Sequence, residues 1–436
     1  MSFVGRVGRI VLVLVAALAL PATVAVVDTR AAFAGSYTAP PPAPSPLPAP
    51  PAHDPTRRTA VVVASTQGAA VSDALGAYEA LAATGAFNVY LAAPDRHPLP
   101  LTGGLDVLPD LSFADVDQRL GGAAPDLVVV PAVPDAATPT SRPVEEWVAR
   151  QWGRSLVVSI CNGAGVLASA GLLDGHRATA HWTRIDSWQQ AFPAVDWQRG
   201  QRWIDDGALI STAGVLSGID GTLHAIDRLL GPAAAARAAV ALHWTPRPVV
   251  QEQHTWSPAD AIVALNAGFR WDPPRIGVLL TDGVSESALA AVFDTYGAQV
   301  LATRTVALGA EVAQVVRSRH GLVLLTRGTV ADTAVDRLLV PGGVVPRING
   351  GPAPELVPAR GTDPFDAVLH DVAAHVDVPT ARWVARAMEY PDADLEFTGP
   401  GWPVGLVARP FLLAAVGVGL VAAVGGLRRA RAKVSA

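Results

Sequence analysis

The single cysteine of this 436-residue chain sits where a nucleophile would be placed. Residues 155–182 read SLVVSICNGAGVLASAGLLDGHRATAHW. The stretch opens with an apolar, β-branched run, 156–160, bounded by polar residues, which is the pattern of a strand buried on both faces. The run breaks at Cys161 into Asn162, Gly163 and Gly165, and residues 164–170 continue as a small-residue helix. A strand that turns sharply into a helix at a nucleophile has elbow geometry. The turn needs glycine, and the helix N-terminus behind it offers N–H groups and a partial positive charge. Those features favour a thiolate, so Cys161 is expected to be reactive, with the N–H of Asn162 or Gly163 facing a developing oxyanion. The alternative is a buried, inert thiol, the commoner meaning of an isolated cysteine.

The text CNGAGVLASAGLLDGHRATAHW resembles the cysteine elbow of the DJ-1/PfpI superfamily, which has the class I glutamine-amidotransferase-like fold. Within it the likeness is to the amidase-like half of AraC-type regulators and to isocyanide hydratases, which read C-T-G-A, then A-G-L-L-D-G, then A-T-T-H-W. Residues 126–130 (DLVVV) resemble the strand before the elbow, and 203–231 the closing strand and helix, so the likeness covers roughly 58–244. It implies Cys161 as nucleophile, His181 beside it shaping the pocket, and Asp73 as the acid that contacts the sulfur. From the residues alone, Asp73 reads equally as a helix N-terminal residue favoured by the dipole. A lone histidine such as His181 is more often structural, though Trp182 and the strand-end context favour a pocket. Glu79, on the same helix as Asp73, reads as a solvated side chain. Two positions depart from the family. Asn162 stands where hydratase-like members have Thr and PfpI proteases have His, so the protease dipeptide is missing. After Val130 the usual P-G-G becomes Pro131-Ala132-Val133-Pro134. Ala132 can still present an N–H to an oxyanion, without the glycine turn; losing such a donor costs roughly two to three orders of magnitude.

The elements that must position these residues follow an alternating strand–helix pattern in two regions, 57–245 and 274–400, joined by a bridge at 246–273. The expected fold is α/β, a flavodoxin-like parallel sheet sandwiched by helices, with a second degenerate α/β domain and terminal membrane helices. In the second region DRLLVPGG parallels DLVVVPAV and keeps P-G-G at 341–343, but it has no cysteine and no elbow. Its expected role is to pack on the first, like the partner subunit of a dimer, with Trp244, Trp256 and Trp271 forming the joint. Residues 1–38 read as a signal peptide or an uncleaved anchor: Arg6 and Arg9 precede an apolar run, and Ala32-Phe33-Ala34 offers a cleavage site. Residues 39–56 are a proline-rich linker, an extended spacer. Residues 406–428 read as a transmembrane helix and 429–436 as a basic cytoplasmic tail, which places the globular part outside the cytoplasm.

Net charge is −5 with no basic stripe and no helix-turn-helix, so nucleic acid is not an expected partner. No H-E-x-x-H or C-x-x-C occurs, and His370 and His375 are spaced off a common helix face, so neither a metal nor another cofactor is expected. The expected partners are a small-molecule ligand or substrate and the membrane, with a dimer or internal pseudo-dimer as the assembly. The function that follows is cysteine-dependent hydrolysis or hydration of a small carbon–nitrogen or carbonyl substrate. The alternative is a non-catalytic ligand-binding module or cysteine-based redox sensor.

Overall fold

The structure is a computed structural model that describes residues 3–434 apart from 252, 312–314, 343–344, 359–360 and 392–394, with backbone alone at 3–10 and 425–434. Gly343 of the second P-G-G therefore lies outside the described residues. Seven strands form the main sheet in the order Trp203–Asp205, Leu209–Thr212, Leu156–Ile160, Leu127–Val130, Arg58–Val63, Phe87–Ala93, Leu111–Ser112. All neighbours pair in parallel except the Trp203–Asp205 edge. The continuous apolar runs are explained by burial on both faces. Val61, Val128 and Val157 meet Trp147, Leu167 and Trp188 on one side, while Val62, Val129 and Val158 meet Leu75 and Ile219 on the other. The mixed α/β architecture with a helix-flanked parallel sheet is thus as the sequence implies.

A second, parallel sheet runs Arg304–Leu308, Arg275–Leu279, Arg337–Val340, Pro354–Leu356. One of its faces forms a small cluster of its own around Leu279, Leu308 and Leu338, and the other merges into the core of the first sheet. The short apolar run 299–302 reads from the sequence as a strand, but only Gln299 belongs to a regular element: Thr295–Gln299 continues Glu286–Asp294 with wider winding, 300–302 bend, and the strand follows at Arg304–Leu308. Val300 and Ala302 are buried in either geometry, so a short apolar run could not discriminate.

Two devices join the halves. Helix Glu286–Asp294 packs on helix Val71–Ala83, and Glu79 of the latter accepts from Ser285 Oγ at 2.9 Å and from the Ser287 N–H at 2.6 Å. Glu79 is therefore 1% exposed, not solvated, because it satisfies orphan donors at the partner helix's N-terminus. Asp294 in turn lies against Ser72, in the first turn of Val71–Ala83. The second device is an antiparallel sheet shared between halves, in which Val323–Leu325 pairs with Leu105–Leu108. Arg327 grips the buried Asp106 with two bonds, 2.6 and 2.7 Å, and burial still pushes that carboxyl up to about 6. Of the three tryptophans expected at the joint, Trp244 is buried and donates to Asp220, and Trp256 stacks on Trp383 of the second half, with ring centroids 5.5 Å apart. Trp271 departs from expectation: it is exposed and lies under Arg409 of the C-terminal helix.

The terminal helices Phe3–Ala34 and Val404–Val434 contain two segments, Val11–Ala34 and Val404–Val424, long and apolar enough to cross a membrane. They pack together where Gly417 faces the Ala16 carbonyl, and a Cβ there would overlap it. The proline-rich linker is docked rather than free: Arg96 and Arg119 donate to the carbonyls of Pro48 and Pro51.

Because Asp106 is fully buried, Arg327→Met strands a carboxylate and should cost about 3 kcal/mol near neutral pH. The loss should shrink below about pH 6, where Asp106 takes a proton. Chemical denaturation of residues 57–391 should stay one transition with a lowered midpoint; two transitions would mean that the halves are independent.

Candidate functional site

Cys161 sits at φ 54°, in the left-handed region, between strand Leu156–Ile160 and helix Gly163–Ser169. For a residue with a side chain that conformation costs on the order of 1–2 kcal/mol and needs its surroundings to hold it. The Cys161 N–H donates to Thr212 at 3.2 Å, from the adjacent strand. Gly163 is required because a Cβ there would overlap the Val130 carbonyl oxygen, and at Gly165 a Cβ would meet the Trp188 ring at 2.6 Å. Asn162 anchors the turn, its Oδ1 accepting from Trp188 Nε1 at 3.3 Å, while its N–H reaches the Cys161 sulfur.

The thiol, however, is neutral. Burial, then the charges of Asp73, Glu389 and Asp294, push it well above the usual range, and only the Asn162 N–H pulls the other way. The expectation of a thiolate fails because desolvation among carboxyl groups outweighs a short helix's dipole.

Asp73 is 1% exposed. Its Oδ2 accepts from the Ala132 N–H at 2.9 Å, and its Oδ1 is buried without a partner. Burial, and secondarily Asp294, push this carboxyl well above the usual carboxylate range, toward its neutral form. Two readings change here. Asp73 does more than serve a helix terminus, since it stands beside the cysteine, and the Ala132 N–H is spent on Asp73 instead of facing an oxyanion.

His181 turns away from acid–base work. Its Nε2 donates to the Ala387 carbonyl at 2.7 Å and its Nδ1 pairs with Thr183 Oγ1 at 2.7 Å. Burial lowers it to about 4, so it is neutral and holds residue 387 of the second half in place. The residue two places on, Glu389, is one that sequence reasoning missed. It sits at φ 52° with its side chain over Gly214, where a Cβ would overlap it. Its Oε2 accepts from Gln251 at 3.0 Å, its Oε1 is buried unpartnered, and burial lifts it to about 7. Glu389 lines a cavity of about 150 Å³ walled by Trp182, Trp256, Ala180 and Ala213, a lining that does not include Cys161. Tyr37, just past the N-terminal helix, was missed too. Its phenol is pushed up by burial and by the nearby charges of Asp294, Asp73 and Cys161. No local signal marks Tyr37, Asp294 or Glu389, since each arrives by tertiary packing.

Glu79, Glu286 and His320 bring ligand-type atoms within 4.8 Å of one another. Their oxygens are occupied by Ser285, Ser287, Ser318, His320 and Arg319, so the cluster reads as a joint between the halves. His370 and His375 pair separately, with Asp366 and Asp371.

Residues 58–227 match the DJ-1/PfpI family. The chain is 32% identical to isonitrile hydratase of Pseudomonas putida over 184 residues, covering 40% of this chain and 74% of that protein. It is 31% identical to the HTH-type transcriptional regulator CdhR of Pseudomonas aeruginosa, covering 34% of this chain and 42% of the regulator. Among solved structures it is similar to Drosophila melanogaster DJ-1β, with TM-score 0.38 and 21% identity, covering 43% of this chain and 99% of that one.

Glu389 generates a pH signature. The folded state holds its proton up to about pH 7, against an ordinary value of 4.5. Its contribution is therefore full below about pH 4.5, declines as pH rises, and is lost above 7. Glu389→Gln should thus be more stable than the wild type at pH 8, by up to about 3 kcal/mol, and no more stable near pH 4.5. Urea midpoints at the two pH values test this; a pH-independent difference would show that Glu389 does not titrate in that window.

Proposed function

The chain belongs to the DJ-1/PfpI family, and on that premise we propose that it is a cysteine-dependent hydratase of small, neutral carbon–nitrogen compounds of the isonitrile kind, anchored to a membrane with its globular part extracytoplasmic. The carrying observation is Cys161, held in the elbow within electrostatic reach of Asp73, whose buried carboxyl is pushed toward its neutral form and has one unpartnered oxygen. A neutral thiol beside a neutral acid suits a neutral substrate, because no net charge need enter a buried site.

The chemistry balances with these groups alone. The sulfur attacks the terminal carbon of R–N≡C, Asp73 hands its proton to that carbon, and the thiol proton replaces it on Asp73. The product is a thioimidate, Cys–S–CH=N–R. Water then adds to the same carbon, a proton reaches nitrogen, and the C–S bond breaks as the thiol regains its proton. R–NH–CHO leaves, and the sum is addition of one water. The Ala132 N–H fixes Asp73 Oδ2, leaving Oδ1 free to exchange the proton. Glu389, on the side of the small cavity, is a second protonatable group within electrostatic reach of the sulfur.

A second reading, a cysteine-based ligand or redox sensor, is favoured by the burial of Cys161, 6% exposed, with Tyr37 and Glu389 within electrostatic reach of it. Membrane anchoring is supported by the two apolar helices and by Arg6, Arg9 and the basic residues 428–433 that flank them. Protease added to intact cells should then remove residues 40–402, and full protection would exclude this topology.

Incubation with an alkyl isonitrile should yield the N-alkylformamide, read by NMR. Cys161→Ser should abolish it, and Asp73→Asn should slow it about 10²–10⁴-fold without unfolding the protein. Wild-type rates in Cys161→Ser would remove the nucleophile role. No formamide from the wild type, with oxidant-dependent exposure of Tyr37, would favour the sensor.

A further inference from the structure

A cavity of about 470 Å³ lies far from Cys161 in the chain's wiring, between the last turns of the N-terminal helix and the near end of the second sheet. Four arginines line it, Arg270, Arg275, Arg304 and Arg327, against one acidic residue, Asp28. Two of the four are committed elsewhere. Arg327 is held by Asp106, and Arg270 donates to Asn266 Oδ1 at 3.0 Å and approaches Asp377 at 3.8 Å. Arg275 and Arg304 are different. Both are exposed, and neither side chain has an acidic partner among the described residues. Asp336, the nearest acid in contact, binds the backbone N–H of Arg275 rather than its guanidinium.

The two arginines stand directly opposite each other on neighbouring parallel strands. Like charges so placed repel, and an anion between them converts the repulsion into two charge-assisted bonds. Guanidinium forks match phosphate geometry, which a pair of lysines would not.

Depth in the molecule narrows the source of the anion. One wall is Asp28, Ala31, Ala32 and Gly35, at the end of the apolar segment Val11–Ala34. That segment has 24 residues where about 20 span the hydrocarbon, so its last turns reach headgroup level. Trp271, also lining the cavity, is 54% exposed and carries Arg409 over its ring at 4.8 Å, close to the start of the other apolar segment. An exposed tryptophan with arginine at this level is the usual dress of a membrane interface.

We propose that this cavity binds the phosphate of an anionic membrane phospholipid, with Arg275 and Arg304 as its two ligands. The proposal rests on the membrane-anchored reading above. It does not depend on the chemistry at Cys161.

The test uses the full-length protein in a non-ionic detergent, titrated calorimetrically with short-chain dihexanoyl phosphatidylglycerol, dihexanoyl phosphatidylcholine or inorganic phosphate. Phosphatidylglycerol should bind saturably and more tightly than the other two, and the double variant Arg275→Gln, Arg304→Gln should weaken it about tenfold or more. The Arg275→Lys, Arg304→Lys pair should retain an intermediate affinity and guards against a merely unfolded variant. Equal binding of phosphatidylcholine, or undiminished binding by the folded Gln variant, would overturn the site. Inorganic phosphate binding as tightly as phosphatidylglycerol would overturn the lipid assignment. Carbonate extraction of cell membranes separates the two readings. A protein that washes off refutes the anchor, while the detergent titration still reports on the arginines.

Discussion

The packing of helix Glu286–Asp294 on helix Val71–Ala83 is the contact on which the rest of the molecule depends. Each helix brings an acid to the other's first turn: Glu79 to Ser285 and Ser287, and Asp294 to Ser72. An acid at a helix N-terminus is favourable, and burial makes the bonds stronger and their absence costlier. Because Asp73 stands one residue beyond Ser72, the same docking that closes the core places Asp294 beside Asp73. The site around Cys161 is therefore built by both halves, and its electrostatics belong to the joint.

That origin adds to what keeps the thiol protonated. A helix N-terminus and the Asn162 N–H favour the thiolate, against burial and the Asp73 charge, which are the larger opposing causes. Here Asp73, Asp294 and Glu389 crowd the sulfur, and each is itself driven toward the neutral form by burial. Ionising any one raises the cost of ionising the next, so the group behaves as a coupled set. Such a set moves protons among neutral partners at little electrostatic cost, and it is poorly suited to holding a standing anion. The engagement of the Ala132 N–H by Asp73 fits that picture. A donor that the family resemblance offers to an oxyanion is used to orient an acid.

How much of this could be read from the sequence depends on how local the cause is. The elbow was legible because the glycines at 163 and 165 answer steric demands a few ångströms away, from Val130 and Trp188, and because unbroken runs such as LVVV mean two covered faces. Glu79 was misread because its partner helix lies more than two hundred residues downstream in the chain. The strand placed at 299–302 failed because buried apolar residues of that number fit the bend after a helix equally well. Glu389 and Tyr37 carry no signature of their own. What places them is Gly214, which makes room for the glutamate, and the direction in which the N-terminal helix ends.

That direction also ties the surroundings of the cysteine to the rest of the molecule. The N-terminal helix ends at Ala34; the Ser36 carbonyl then accepts from the Gly103 N–H and the Thr38 carbonyl from the Arg327 side chain, and Tyr37 between them lies within electrostatic reach of Asp73 and Cys161. Arg327 in turn holds Asp106 in the sheet shared by the two halves. The backbone that carries Tyr37 is thus fixed on one side to an apolar helix that packs against the C-terminal one, and on the other to the inter-half joint. Where the phenol stands relative to the acids around Cys161 therefore depends on where the N-terminal helix ends, which is why no local feature of the sequence around residue 37 could reveal it.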